Sequence, residues 1–176
     1  MRILRYFPAP AEFRPYQPQA AEAARRICGA IHRVAPELQV EHIGSTAVPD
    51  CGGKGIIDLA VLYRDGCLVP ARAVLDGLGF QKQTGPEPFP ESRPMRVGSV
   101  EHDGHAFRIH AHVVAFGSDE HRQLVWFRDA LRASPELRHR YEERKRAILA
   151  LGINDSHEYC KAKGIFITDA LKAQTT

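Results

Sequence analysis

The residues best placed to do chemistry are a Gly-Ser pair, Gly44-Ser45, and an aspartate a short distance on, Asp58. Gly44 and Ser45 close one short apolar run, Val40–Ile43, and Asp58 lies inside the next, Ile56–Tyr63. Backbone N–H groups in such a turn, with a hydroxyl beside them, form a concave set of donors for phosphate oxygens. A strand-borne carboxylate can hold Mg²⁺, which keeps several waters and bridges to phosphate oxygens. The same residues also describe a plain strand–loop–strand connection with a capping serine and an exposed aspartate.

A second chemical group is the R-x-H-x-H run of Arg108, His110 and His112. Alternation along a strand puts these three on one face, with Phe107, Ile109, Ala111 and Val113 on the other. Two imidazoles in a row can ligate a metal or contact a phosphate. A catalytic zinc normally takes three protein ligands, so His42 or Asp58 would have to complete the set. Two strand histidines facing solvent or a helix satisfy the pattern as well. His102 and His105 flank a turn and are expected at the surface.

The third group is a repeated Tyr-x-x-x-Lys, Tyr141/Lys145 and Tyr159/Lys163. Four-residue spacing puts each lysine on the same helix face as its tyrosine, beside apolar neighbours. An inward lysine is costly unless its ammonium is paired or reaches water. A bound phosphate would pair both; a structural glutamate or snorkelling would also serve.

Positioning these groups requires a sheet and several helices. Residues 1–16 read as an irregular, proline-bearing arm. Pro18 to Val34 reads as a helix with Ala24, Ile27, Ile31 and Val34 inward, ended by Pro36. A short helix opens near Pro70 and closes at Gly77 and Gly79. Residues 85–94, with four prolines, form a loop, and two strands follow around Asp103-Gly104, a dipeptide favoured in two-residue hairpins. From Gly117 the pattern is helical: one helix capped by Ser118 with Leu124, Phe127 and Leu131 inward. A second opens at Pro135 with Leu137, Tyr141, Ile148 and Leu151 inward, and a third spans about 156–172. The expected class is α+β: a mixed sheet of four or more strands with a helical C-terminal third, residues 1–176 forming one domain.

Composition excludes more than it suggests. The chain has 176 residues, 44% hydrophobic and 26% charged, with a net charge of +3. That charge is too small to argue for nucleic acid, and runs such as 138–146 mix both signs. No apolar run approaches the ~18 residues of a membrane span, and the N-terminal stretch lacks a signal-peptide core. The scattered cysteines at 28, 51, 67 and 160 suit reduced thiols, so a cytoplasmic protein is expected. Gly53-Lys54 is not a Walker motif, because Val48 and Gly55 stand where glycine and Ser/Thr are needed. No GxGxxG opens a helix.

Taken together, EHIGSTAVPDCGGKGIIDLAV, HAHVVAFGSDEHRQLVWFRDALRASPEL, YEERKRAIL and YCKAKGIFI resemble the GrpB family over residues 37–171. That resemblance implies the nucleotidyltransferase-like fold, and the family also occurs fused behind dephospho-coenzyme A kinase in some bacteria. It further implies that Gly44-Ser45 is the turn holding nucleotide phosphates and Asp58 the first carboxylate of a D-x-D/E metal pair. Here the second position is Ala60, a departure, since two-metal chemistry wants several acidic ligands. Gly55 stands where the family usually has proline, which loosens the loop.

The expectation is a metal-dependent nucleotidyltransferase moving a nucleotidyl group from an NTP to a small acceptor. Asp58 would bind the divalent metal, Mg²⁺ above all, and Ser45 the phosphates. Lys54, Arg108, Lys145 and Lys163 would offset phosphate charge, and Glu41 is the one nearby carboxylate able to act as base. Ala60 instead favours a non-catalytic module binding a nucleotide or coenzyme A-type phosphate. A single-metal hydrolase with zinc or nickel on His42, Asp58, His110 and His112 is a third reading. The expected partner is a small phosphorylated molecule, with no nucleic acid and no membrane.

Overall fold

The structure, a computed structural model, describes residues 2–85 and 87–174. Helix α1, Pro18–Val34, starts with proline in its first turn and buries Ala20, Ala23, Ala24, Ile27 and Ile31, all at most 1% exposed. Burying the two isoleucines contributes about 1.5–3 kcal/mol each, which fixes the helix to the sheet beneath. Val34, expected inward, is 58% exposed at the last position of the helix, while Ala35 and Leu38 just beyond it enter the core. Strand β1, Gln39–Ile43, runs into a 3₁₀ turn at Ser45–Ala47, and β2 follows at Ile57–Tyr63. Then come α2 at Leu68–Gly77, a two-residue β3 at Gln81–Lys82, and the hairpin of β4, Met95–His102, with β5, His105–Ala115. Asp103 and Gly104 both have positive φ, 48° and 74°, as a tight two-residue hairpin turn requires. Three helices complete the chain: α3 Asp119–Ala133, α4 Pro135–Ala150 and α5 Ser156–Gln174. Ser118 and Ser134 cap α3 and α4 by accepting from the N–H of His121 and Leu137.

The five strands form one mixed sheet in the order β1-β2-β5-β4-β3, with β2 and β5 parallel and the other neighbours antiparallel. This is the expected α+β arrangement. One face carries Ile57, Leu59, Val61, Phe107, Ile109, Ala111 and Val113, packed under α1 and α2. Residues one position along point to the opposite face: Asp58 and Ala60 on β2, Arg108, His110 and His112 on β5. The C-terminal helices gather on the loop after β1, with Phe127, Leu131 and Tyr141 against Val48 and Cys51.

Three expectations change here. His102 is buried, its side chain 3% exposed, because alternation places it beside Val100 on the α1 side rather than at the turn's surface. Leu151, expected inward, is 76% exposed beyond the end of α4. The N-terminal arm is irregular but anchored: Leu4 exchanges two backbone hydrogen bonds with Ser99, and Arg14 two with Gly53. Pro86, one of the four prolines of the 85–94 loop, lies outside the described residues.

Candidate functional site

Gly44 sits directly against Asp58. Its φ of 71° and ψ of −173° belong to a region reserved for glycine, and a Cβ there would lie 2.5 Å from Asp58 Oδ2. The missing side chain therefore lets the strand carboxylate pack onto the turn. Gly53 acts likewise, for a Cβ on it would lie 2.6 Å from Ser45 Oγ and 3.3 Å from Lys145 Nζ. The turn is braced from below by Thr46, whose hydroxyl donates to the Ile56 carbonyl at 2.9 Å and meets His42 Nε2 at 3.0 Å.

Register explains which predicted residues reach Asp58. His110 is its direct partner on β5, and His112 stands two residues along on the same face. His110 Nδ1 is 3.6 Å and His112 Nε2 3.9 Å from Asp58 Oδ1. Burial works against ionisation of Asp58, but His110 and His112 prevail and hold its carboxyl well below the usual carboxylate range. Burial also lowers the His110 pKa, with Asp58 opposing. On its far side, His110 Nε2 is 3.2 Å from the Tyr6 hydroxyl, a residue of the arm that no spacing pattern singled out. His112 is instead edge-on to Phe89, ring centroids 5.7 Å apart.

Three expected site residues are used elsewhere. His42 pairs with Leu59, so it points to the other face of the sheet from Asp58; burial pushes its pKa down to about 4. Glu41 is on Asp58's face, opposite Ala60, but it accepts from Arg128 at 3.0 Å and faces His121 Nε2 at 3.2 Å. A carboxylate so paired is a strut between β1 and α3 rather than a free base. Arg108 donates to the carbonyls of Ala9, at 3.1 Å, and Lys54, at 3.4 Å, pinning the arm and the loop.

The lysines divide the same way. Lys145 is 2% exposed, donates to the Gly52 carbonyl, and lies over the Tyr141 ring at 4.2 Å. Burial pushes its pKa down to about 8. Lys54 is half-buried, donates to Ser156 Oγ at 2.9 Å and approaches Cys160 Sγ at 3.5 Å. Lys163, also half-buried, is held above the ordinary lysine range, chiefly by the Tyr141 phenol, with burial opposing and Cys160 and Asp58 adding. Tyr141, Lys145, Tyr159 and Lys163 all line the space beside Ser45 and Asp58.

Ser45, Lys54, Asp58, His110, His112, Lys145 and Lys163 together line a cleft of about 1060 Å³, with Tyr6, Tyr141 and Tyr159 also in its walls. Arg5, Lys82, Arg93 and Lys161 add positive charge, while Glu87 and Asp155 add negative. Sequence patterns missed these because they come from the arm, the two-residue β3, the proline-rich loop and the residues at the start of α5. The donor set does not fit a resident metal pair. Among the described residues Asp58 is the lone carboxylate packed on the Gly44-Ser45 turn, and Ala60 stands where a second would be. Among the described residues no group of three or more His, Cys, Asp or Glu side chains converges to hold a metal ion. Register turns His42 to the opposite face from Asp58, so His42 cannot join Asp58, His110 and His112 in one ligand set.

Residues 10–173 match the sequence profile of the family described as GrpB protein. The chain belongs to the GrpB family. A UPF0157 protein of Streptomyces coelicolor is 32% identical over 79% of this chain and 68% of its own length. Another, from Vibrio cholerae, is 33% identical over 89% of this chain and 78% of its own. The crystal structure of the conserved protein GrpB from Enterococcus faecalis superposes with a TM-score of 0.68 at 21% identity, covering 94% of this chain and 100% of that one. At that identity the match speaks for the fold. The Cid1 poly(U) polymerase superposes with a TM-score of 0.47 over 72% of this chain, too weak to argue from.

Proposed function

We propose that the cleft binds a phosphorylated small molecule, a nucleotide or a coenzyme A-type ligand, through the Ser45 turn, Lys54 and Lys163. The observation that carries this reading is the convergence of a glycine-built turn and two accessible lysines beside a single carboxylate. Cations around a turn rich in backbone donors suit a phosphate group, and a lone carboxylate is a poor cage for two Mg²⁺. Lys145, already committed to the Gly52 carbonyl, shapes the turn rather than meeting the ligand. Reduced thiols fit the cytoplasm as its compartment, and no helix among the described residues is long and apolar enough to cross a membrane.

The test is titration calorimetry with nucleoside mono-, di- and triphosphates and coenzyme A. Lys54→Met and Lys163→Met should each weaken binding by about 10- to 100-fold, the usual worth of a charge-assisted hydrogen bond. Lys145→Met should change affinity far less. If none of the panel binds, or both accessible-lysine variants bind like wild type, the reading is wrong.

The contact between Gly44 and Asp58 favours a second reading, transfer of a nucleotidyl group from an NTP to a small acceptor. Any Mg²⁺ would then arrive with the nucleotide as part of the substrate. Release of pyrophosphate from labelled NTP across a panel of acceptors tests it. Turnover undiminished in Asp58→Ala, or absent in wild type, removes that reading.

A further inference from the structure

Tyr6, His110 and Asp58 stand in line across the cleft floor. The Tyr6 hydroxyl is 3.2 Å from His110 Nε2, and His110 Nδ1 is 3.6 Å from Asp58 Oδ1. A neutral imidazole has one N–H and one acceptor nitrogen, and an ionised carboxylate can only accept. The Asp58 charge, 3.6 Å away and just beyond hydrogen-bond reach, favours the tautomer with the proton on Nδ1 and leaves Nε2 to accept from the phenol. Tyr6 does not dangle: its N–H donates to Gln81 Oε1 at 2.8 Å, and Leu4 is stitched to Ser99 two residues earlier. The phenol is half-buried and belongs to the cleft wall, facing the same space as Ser45, Lys54 and Lys163. A hydroxyl hydrogen-bonded to a base that a third group orients is the general mark of an activated nucleophile.

We propose that Tyr6 is the nucleophile of this cleft, its phenol oxygen taking the nucleotidyl group of a bound nucleoside triphosphate. The proposal rests on the reading of the cleft as a nucleotide site. The Tyr6 Oη–Pα bond forms, the bond from Pα to its bridging oxygen breaks, and pyrophosphate leaves. The phenolic proton passes to His110 Nε2, and the resulting imidazolium is held by Asp58. Burial raises the Tyr6 pKa and the Arg108 guanidinium opposes it, so the phenol needs this base to react near neutral pH. His112, turned toward Phe89, takes no part in the line. The product is the chain carrying one nucleotide in phosphodiester linkage at Tyr6.

The experiment incubates the full chain with each of the four ribonucleoside triphosphates, α-labelled, in the presence of Mg²⁺. Denaturing gels, intact mass and peptide mapping read the label, and calorimetry reads nucleotide binding in parallel. The expected result is one nucleotidyl group per chain at Tyr6. Tyr6→Phe should abolish the label while keeping its ring packing, its melting temperature and nucleotide affinity. His110→Asn should slow labelling by about a hundredfold or more, the usual share of a general base, at unchanged affinity. Binding without label in wild type, label on another residue, or undiminished label in Tyr6→Phe overturns the inference and leaves the cleft reading standing. No binding of any nucleotide overturns this inference, and the cleft reading falls with it only if coenzyme A fails to bind as well.

Discussion

Replacing Gly44 with alanine tests the contact on which the site is built. The substitution meets two separate obstacles. The backbone at φ 71°, ψ −173° is open to glycine and strained by about 1–3 kcal/mol for other residues. The new Cβ would also stand 2.5 Å from Asp58 Oδ2 and 3.0 Å from Asp58 Cβ. Asp58 cannot retreat freely, since it is anchored on the buried interior of β2 between β1 and β5, so overpacking adds about 1–3 kcal/mol. The sum, about 2–6 kcal/mol, is a large part of an ordinary domain's stability. For a chain of this size it lowers the melting temperature by roughly 5–20 °C. Gly117→Ala is the control, because Gly117 has a similar φ of 73° and nothing within 4 Å of its would-be Cβ. It should cost only about 1–2 kcal/mol from the left-handed backbone. Urea and thermal melts of both variants decide the matter. A double variant, Gly44→Ala with Asp58→Ala, should recover part of the loss because the nearest carboxylate oxygen is gone. If Gly44→Ala is no worse than Gly117→Ala, Asp58 does not pack on the turn as described.

Other outcomes follow from the same geometry. His42 is held neutral by burial, with a folded pKa of about 4 against 6.5 ordinarily, so the unfolded chain takes up the proton first as pH falls. Its contribution, at most about 3 kcal/mol, is present above pH ~6.5 and lost as pH falls toward 4. Urea melts at several pH values should show a shallower acid dependence in His42→Gln; an identical slope would assign the effect to another group. Elemental analysis of protein purified without chelators should find no stoichiometric zinc or nickel, and EDTA should leave the melting temperature unchanged. One tightly bound ion per chain that vanishes in His110→Ala would instead restore a single-metal His/Asp site.

Much of this protein was determined by local pattern. The strands on either side of Gly44-Ser45, the helix from Pro18 to Val34, the Asp103-Gly104 hairpin and the two serine-capped helices each follow from rules acting within a few residues. Period two was enough to put Arg108, His110 and His112 on one face, and period 3.6 to put each tyrosine with its lysine. The family likeness lay in the same stretches. What the sequence could not decide was everything set by pairing across distance. Whether His42 or Glu41 shares a face with Asp58 depends on the β1–β2 register, and a shift of one residue reverses the answer. What a cleft lysine pairs with depends on which group the fold brings to it: the Gly52 carbonyl captures Lys145 across 93 residues, while Lys163 lies beside the Tyr141 phenol. Tyr6 is the clearest case, since an irregular arm carries no periodicity. It meets His110 because backbone bonds at Leu4 and Arg14 tie the arm back over the sheet, 104 residues away in the chain. Side-chain type and spacing determined the ingredients, and long-range hydrogen bonding and register decided which of them met.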